Sequence, residues 1–233
     1  MKKIGFLLFA TALVVGLVVA NSFSFGRASG NFVKFSMDFG AEHGSGNIVT
    51  EKRDLRGFNS VDVGGVFQVE IVAQKDFGVE IEADDNLMAL IQTNVDGDTL
   101  RIESDKRLKS GSPIKVRISA PNIDELSVSG AANVTANSLK CDSLKIESSG
   151  GSRVTVIGQA EDLNIESSGG ARVNAAGLNA VDAHIDGSGG SSVEVNVTGD
   201  LNSDISGGAL VTYSGMPANI NTNKSGGARV TQK

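Results

Sequence analysis

Four acidic side chains recur at one position of a repeated phrase. Glu147, Glu166, Asp186 and Asp204 each stand two residues before a serine that opens a small-residue pair, and Ser127 and Asn223 hold the same place in the flanking copies. If the phrase forms stacked strands, these residues follow an inward position such as Ile146 and therefore point outward, about one rung apart. A ladder of hard oxygen donors can hold a cation such as Ca²⁺. The plainer alternative, and the favoured one, is a solvated acidic face. The Asp-bearing glycine turn that carries calcium in secreted β-rolls is missing. A second series, four residues after the same serine, reads Asn133, Arg153, Arg172, Ser192, Leu210 and Arg229. Arg153 and Arg172, on adjacent rungs, can grip a sulfate, a carboxylate or a sugar acid. Their alternative role is charge balance against the acidic column.

The serines that mark the repeat do not look like nucleophiles. No Gly-x-Ser-x-Gly elbow lies beside them and no copy pairs a serine with a histidine, so a hydrogen-bonded corner is the better reading. The two histidines, His43 and His184, are far apart. His184 occurs in one copy only, directly before the inward Ile185, and reads as a surface residue. No pair of carboxylates stands out as a glycosidase acid and base, because any two on a ladder look alike. The single Cys141 excludes an internal disulfide. No catalytic residue and no cofactor is expected. The net charge of −6 argues against a nucleic-acid partner.

The repeat that must position these columns begins at Leu126. The marking serines are Ser129, Ser149, Ser168, Ser188, Ser206 and Ser225, at steps of 20, 19, 20, 18 and 19 residues. Glycine always follows, and valine always stands five places on (Val134, Val154, Val173, Val193, Val211, Val230). The text is clearest in Leu144–Val154 and Leu163–Val173. Six copies near 19 residues mean a solenoid, and the alternation within each copy means strands. The expected fold is all-β: a right-handed parallel β-helix whose rungs stack at about 4.8 Å, with glycines at the corners and Val and Leu columns filling the bore.

Residues 48–125 alternate with period two and read as an N-terminal cap with the first rungs, while 126–233 hold the six repeats. Gly64-Gly65 separates two strands, and Asp96-Gly97-Asp98 is a hairpin turn. Asp84-Asp85-Asn86 precedes Leu87, Met88, Leu90 and Ile91, which predicts one helix of two turns capped by Asp. All ten phenylalanines lie at or before Phe77; beyond it Tyr213 is the one aromatic residue. Ahead of the cap, Lys2 and Lys3 precede an uncharged run from Ile4 to Ala20, which reads as a cleaved signal peptide over 1–20 or else an uncleaved anchor. Residues 21–47, rich in Gly, Ser and Phe, read as a flexible linker, with a sticky segment that adds a strand or touches a membrane surface as the alternative.

Gly57–Ile71 (GFNSVDVGGVFQVEI), Asp84–Met88 (DDNLM) and Ile123–Val134 (IDELSVSGAANV) together resemble the putative auto-transporter adhesin head GIN domain family, over about residues 48–231. The resemblance implies a bacterial, mostly exported β-helix with no catalytic residues to carry over. The repeats leave no room after them for a translocating barrel, so a head module or a free periplasmic, surface or secreted protein is expected. The function read from all this is an exported, non-enzymatic, adhesin-like or envelope-associated binding module for a glycan or protein. Membrane contact is expected only if Ile4–Ala20 is retained. The alternatives are a structural module self-associating end to end through open rungs, hence a homo-oligomer, and a small polysaccharide-acting enzyme.

Overall fold

The computed structural model describes residues 40–233, so the signal segment and residues 21–39 lie outside the described residues. The described chain is eighteen strands and one helical turn. It winds as a parallel β-solenoid of about five turns.

The first face runs through β3 (Ser60–Gly65) and β10 (Glu125–Gly130). It continues through the C-terminal halves of β11 (Asn133–Ser148), β12 (Arg153–Ser167) and β13 (Arg172–Gly187). It ends with β15 (Asp200–Ile205) and β17 (Asn219–Lys224). The second face runs through β4 (Gln68–Ala73) and the N-terminal halves of β11 to β13. It ends with β14 (Ser192–Val197), β16 (Leu210–Ser214) and β18 (Arg229–Gln232). Every pairing between consecutive rungs of these faces is parallel. In the first repeats a short third side lies mid-strand, where Leu139–Cys141 pairs with Gly158–Ala160.

Period-two alternation builds the bore. Val61, Leu126, Ile146, Ile165 and Ile185 stack in one buried column, and Val134, Val154, Val173, Val193 and Val211 line the opposite wall. The residues between them face out. Serines interrupt the apolar bore, as Ser148, Ser152, Ser167, Ser191 and Ser203 are all buried. The corner follows the expected glycine rule. Gly130, Gly150, Gly169, Gly189, Gly207 and Gly226 all have φ near +70°, and each stacks on its counterpart one rung earlier.

The stack does not begin at Leu126. Gly65 lies beneath Gly130 in the same register, so Ser60–Ala73 is a rung of its own. Residues 74–124 are an insertion after it. The insertion holds β5 (Gly78–Asp84), β6 (Ile91–Asp96), β7 (Thr99–Ser104), β8 (Arg107–Lys109) and β9 (Lys115–Ala120). Strand β7 extends the first face and β9 the second, and antiparallel strands then close that end: β6 on β7, and β5 on β9 with β2 (Ile48–Arg53) beyond it. Phe58, Phe67, Ile81, Leu87 and Ile91 fill this cap, and the rings of Phe58 and Phe77 meet at 5.1 Å.

Two expectations change here. The helix is one turn, Asp85–Met88, because Ile91 already opens β6 and the Asp84 side chain does not cap. The Asp84 carboxylate is buried and accepts instead from Gly46 N at 2.7 Å and from the Ser110 hydroxyl, bonds that hold it below the usual carboxylate range. Asp85 is likewise lowered, by the Ser45 hydroxyl and the Asn47 amide. Those bonds order the end of the segment read as linker. β1 (Ala41–His43) pairs with β8, so 41–47 is not a free linker.

Candidate functional site

The solenoid brings the acidic series together as expected from the repeat. Ser127, Glu147, Glu166, Asp186, Asp204 and Asn223 are consecutive register partners on the first face. The four carboxylates and the corner serines line an open groove of about 480 Å³. Glu147 already has a cationic neighbour, and Asp186 has an imidazole beside it. Lys145 bridges Glu147 and Glu125, the latter at 3.4 Å, and its hydrogen bond to Glu147 holds its ammonium above the usual lysine range. His184 Nε2 stands 3.4 Å from Asp186. The acids stand in single file, one per rung. Among the described residues no three His, Cys, Asp or Glu side chains converge as a metal-binding set.

The arginine series forms the matching column on the second face. Asn133, Arg153, Arg172, Ser192, Leu210 and Arg229 are consecutive partners, continuing Lys115 and Gln68 of the cap. Arg153 and Arg172 are exposed. Among the described residues neither forms an ion pair, so direct pairing with the acidic column is not what places them. The ladder beneath places the two arginines on adjacent rungs, exposed to solvent. Such a pair suits bidentate contact with carboxylate or sulfate oxygens.

The sequence reading missed a third arrangement. On the short side, Lys140, Gln159, Asn179 and Asn196 stack on four consecutive rungs. Asn196 Nδ2 donates to Asn179 Oδ1 at 2.8 Å, which fixes the orientation of that amide. Lys140, Gln159 and Asn179 border a groove of about 640 Å³ that reaches Gln74, one of two non-glycine residues with positive φ among those described (φ 63°). Cys141 lies in this groove, half-buried, and burial pushes its thiol up to about 11. A thiol so rarely ionised is a poor nucleophile. The signal was hidden because the rung positions here do not align in the text: the register shifts between Ala136 and Leu139, between Thr155 and Ile157, and between Ala175 and Asn179.

Residues 57–217 match the model of a family described as putative auto-transporter adhesin, head GIN domain. The chain belongs to this family. As a GIN domain it shares its fold with solved structures of low identity. One is a putative adhesin from Bacteroides fragilis, 22% identical over 83% of this chain and 100% of that one, with a TM-score of 0.69. Another is a putative adhesin from Parabacteroides distasonis, 20% identical over 82% of this chain and 99% of that one, with a TM-score of 0.51. At these identities the likeness speaks to the GIN fold. No curated protein matches the chain.

Proposed function

We propose that this GIN domain is an exported, non-enzymatic, adhesin-like module that holds a surface glycan or protein against the flat faces of its solenoid. The observation that carries the reading is the Arg153–Arg172 pair: adjacent rungs, exposed, and without an ion-pair partner among the described residues. Arginines set on adjacent rungs of a stiff sheet can offer their planar guanidinium forks together to a partner's carboxylates or sulfates, so contact there is favoured. The family's adhesin label supports the binding role. The export half of the reading rests on Lys2, Lys3 and the uncharged Ile4–Ala20 run.

The test is the double charge swap Arg153→Glu with Arg172→Glu, read on glycan and protein arrays and on bacterial and host cell surfaces. The wild-type protein is expected to bind at least one anionic partner, and the swapped protein to bind it at least tenfold more weakly with an unchanged melting temperature. Equal binding by both proteins removes this face from the reading. Fractionation of native cells with intact-mass measurement checks export; a product starting near Asn21 outside the cytoplasm is the expected result.

A further inference from the structure

We propose that the groove on the short third side is a binding site for an uncharged, extended oligosaccharide. The assignment deepens the binding-module reading above and rests on it. Its geometry is that of a trough. One bank carries Lys140, Gln159 and Asn179, all exposed and in register from rung to rung. The other carries Asp142, Glu161 and Val181, the last 49% exposed. Ala160 and Ala180 lie between the banks in sequence and are buried in the core. The ladder of Lys140, Gln159 and Asn179 covers three rungs, about 10 Å at the inter-strand spacing, a length that takes about two sugar rings end to end.

Chemistry selects the ligand class. A peptide strand adding to a sheet needs free backbone N–H and C=O groups. Here those groups are consumed between rungs, so Gly158–Ala160 is paired with β11 on one side and with β13 on the other. Recognition must come from side chains. Gln159 and Asn179 each offer both a donor and an acceptor, which suits hydroxyl groups that do the same. The Asn179 carbonyl is already held by Asn196, so its amide N–H donors are pre-aimed. Val181, 49% exposed, offers an apolar patch that suits the C–H face of a sugar ring. Asp142 and Glu161 outnumber Lys140, so a polyanion is disfavoured in this trough, in contrast to the Arg153–Arg172 face. Gln74 closes one end. Its backbone sits at φ 63°, and its side-chain amide donates to the Pro121 carbonyl at 3.3 Å. A non-glycine residue held there is strained, and such positions gather at ligand sites.

The experiment titrates the full chain with neutral hexasaccharides of glucose, mannose and N-acetylglucosamine, and with the hexamer of galacturonic acid, by calorimetry and by NMR. Three variants accompany it: Asn179→Ala, Val181→Arg, and the Arg153→Glu with Arg172→Glu pair. Saturable binding of a neutral hexamer is expected. That binding should be at least tenfold weaker in Asn179→Ala and Val181→Arg, and unchanged in the arginine pair. Both groove positions are exposed, and a melting curve of each variant shows that it is folded. The assignment is overturned if no neutral hexamer binds, or if both groove variants bind as tightly as wild type. Binding of galacturonate alone, lost in the arginine pair, overturns the groove but leaves the binding-module reading standing. No binding to any partner on arrays or cells removes that reading as well.

Discussion

Buried serines show how one hydroxyl can have opposite consequences at neighbouring places in the same bore. Ser203 is 4% exposed, stacks above Ile185 on a column that is aliphatic up to that rung, and has no hydrogen-bond partner for its Oγ among the described residues. Ser148 is equally buried, but its Oγ meets the Ser152 Oγ at 2.8 Å. A buried, unsatisfied hydroxyl costs about 1–3 kcal/mol, whereas a satisfied one contributes about 1 kcal/mol. Ser203→Ala is therefore expected to raise the melting temperature by about 2–4 °C, the shift that ~1 kcal/mol produces in a domain of this size. Ser148→Ala should lower it by a similar amount, because Ser152 would lose its partner. Thermal denaturation of the two variants side by side decides this. A fall for both would mean that the Ser203 hydroxyl is satisfied in solution.

At the scale of the element, the corner rests on the first glycine of each pair and not the second. A Cβ on Gly169, at φ +70°, would lie 3.0 Å from the carbonyl oxygen of Gly150 one rung below. On Gly170 the nearest atom would be 3.5 Å away, an ordinary contact. The first repeat already carries Ala131 at that second place. Gly169→Ala is expected to cost more than about 2 kcal/mol, the left-handed penalty plus the clash, while Gly170→Ala stays within about 1 kcal/mol of wild type. Urea denaturation midpoints measure both. These corners were legible in the sequence because one serine–glycine phrase recurs at nearly constant spacing, and the same phrase placed the acidic and arginine columns in their true register. The third side was not legible. Ser138, at φ 61°, and Gly158, at φ 148°, turn equivalent corners with unlike residues, so no repeated letter marks the place. The helix was overread for a different reason: Asp84 looked like a cap in its local string, yet the donors that claim it, Gly46 and Ser110, are distant in sequence. Likewise Ser60–Ala73 is a rung separated from the next by the inserted residues 74–124, too far for its Gly64-Gly65 pair to register as part of the period.

Over the whole molecule, packing is graded from one end to the other. Each rung of a solenoid touches only its neighbours, so local stability is set by what lies directly above and below. The capped end holds Phe58, Phe67, Leu87 and Ile91, all buried, with antiparallel strands closing both faces. In the last described rung Ile220 is 45% exposed, although Leu201, on which it stacks, is wholly buried. Every β17 side chain but Thr222 is exposed, and Val230 of β18 is only half-buried. Fewer apolar contacts per rung mean a lower free energy of local opening. Amide hydrogen exchange followed strand by strand should therefore be fastest in β17 and β18, intermediate in β15 and β16, and slowest in β10 to β13. The arginine pair and the third-side groove both sit on β11 to β13, within the slow segment, where a ligand meets a backbone that stays closed. A uniform exchange profile would mean that the solenoid opens as one unit, and the link between rung packing and a pre-set binding surface would have to be given up.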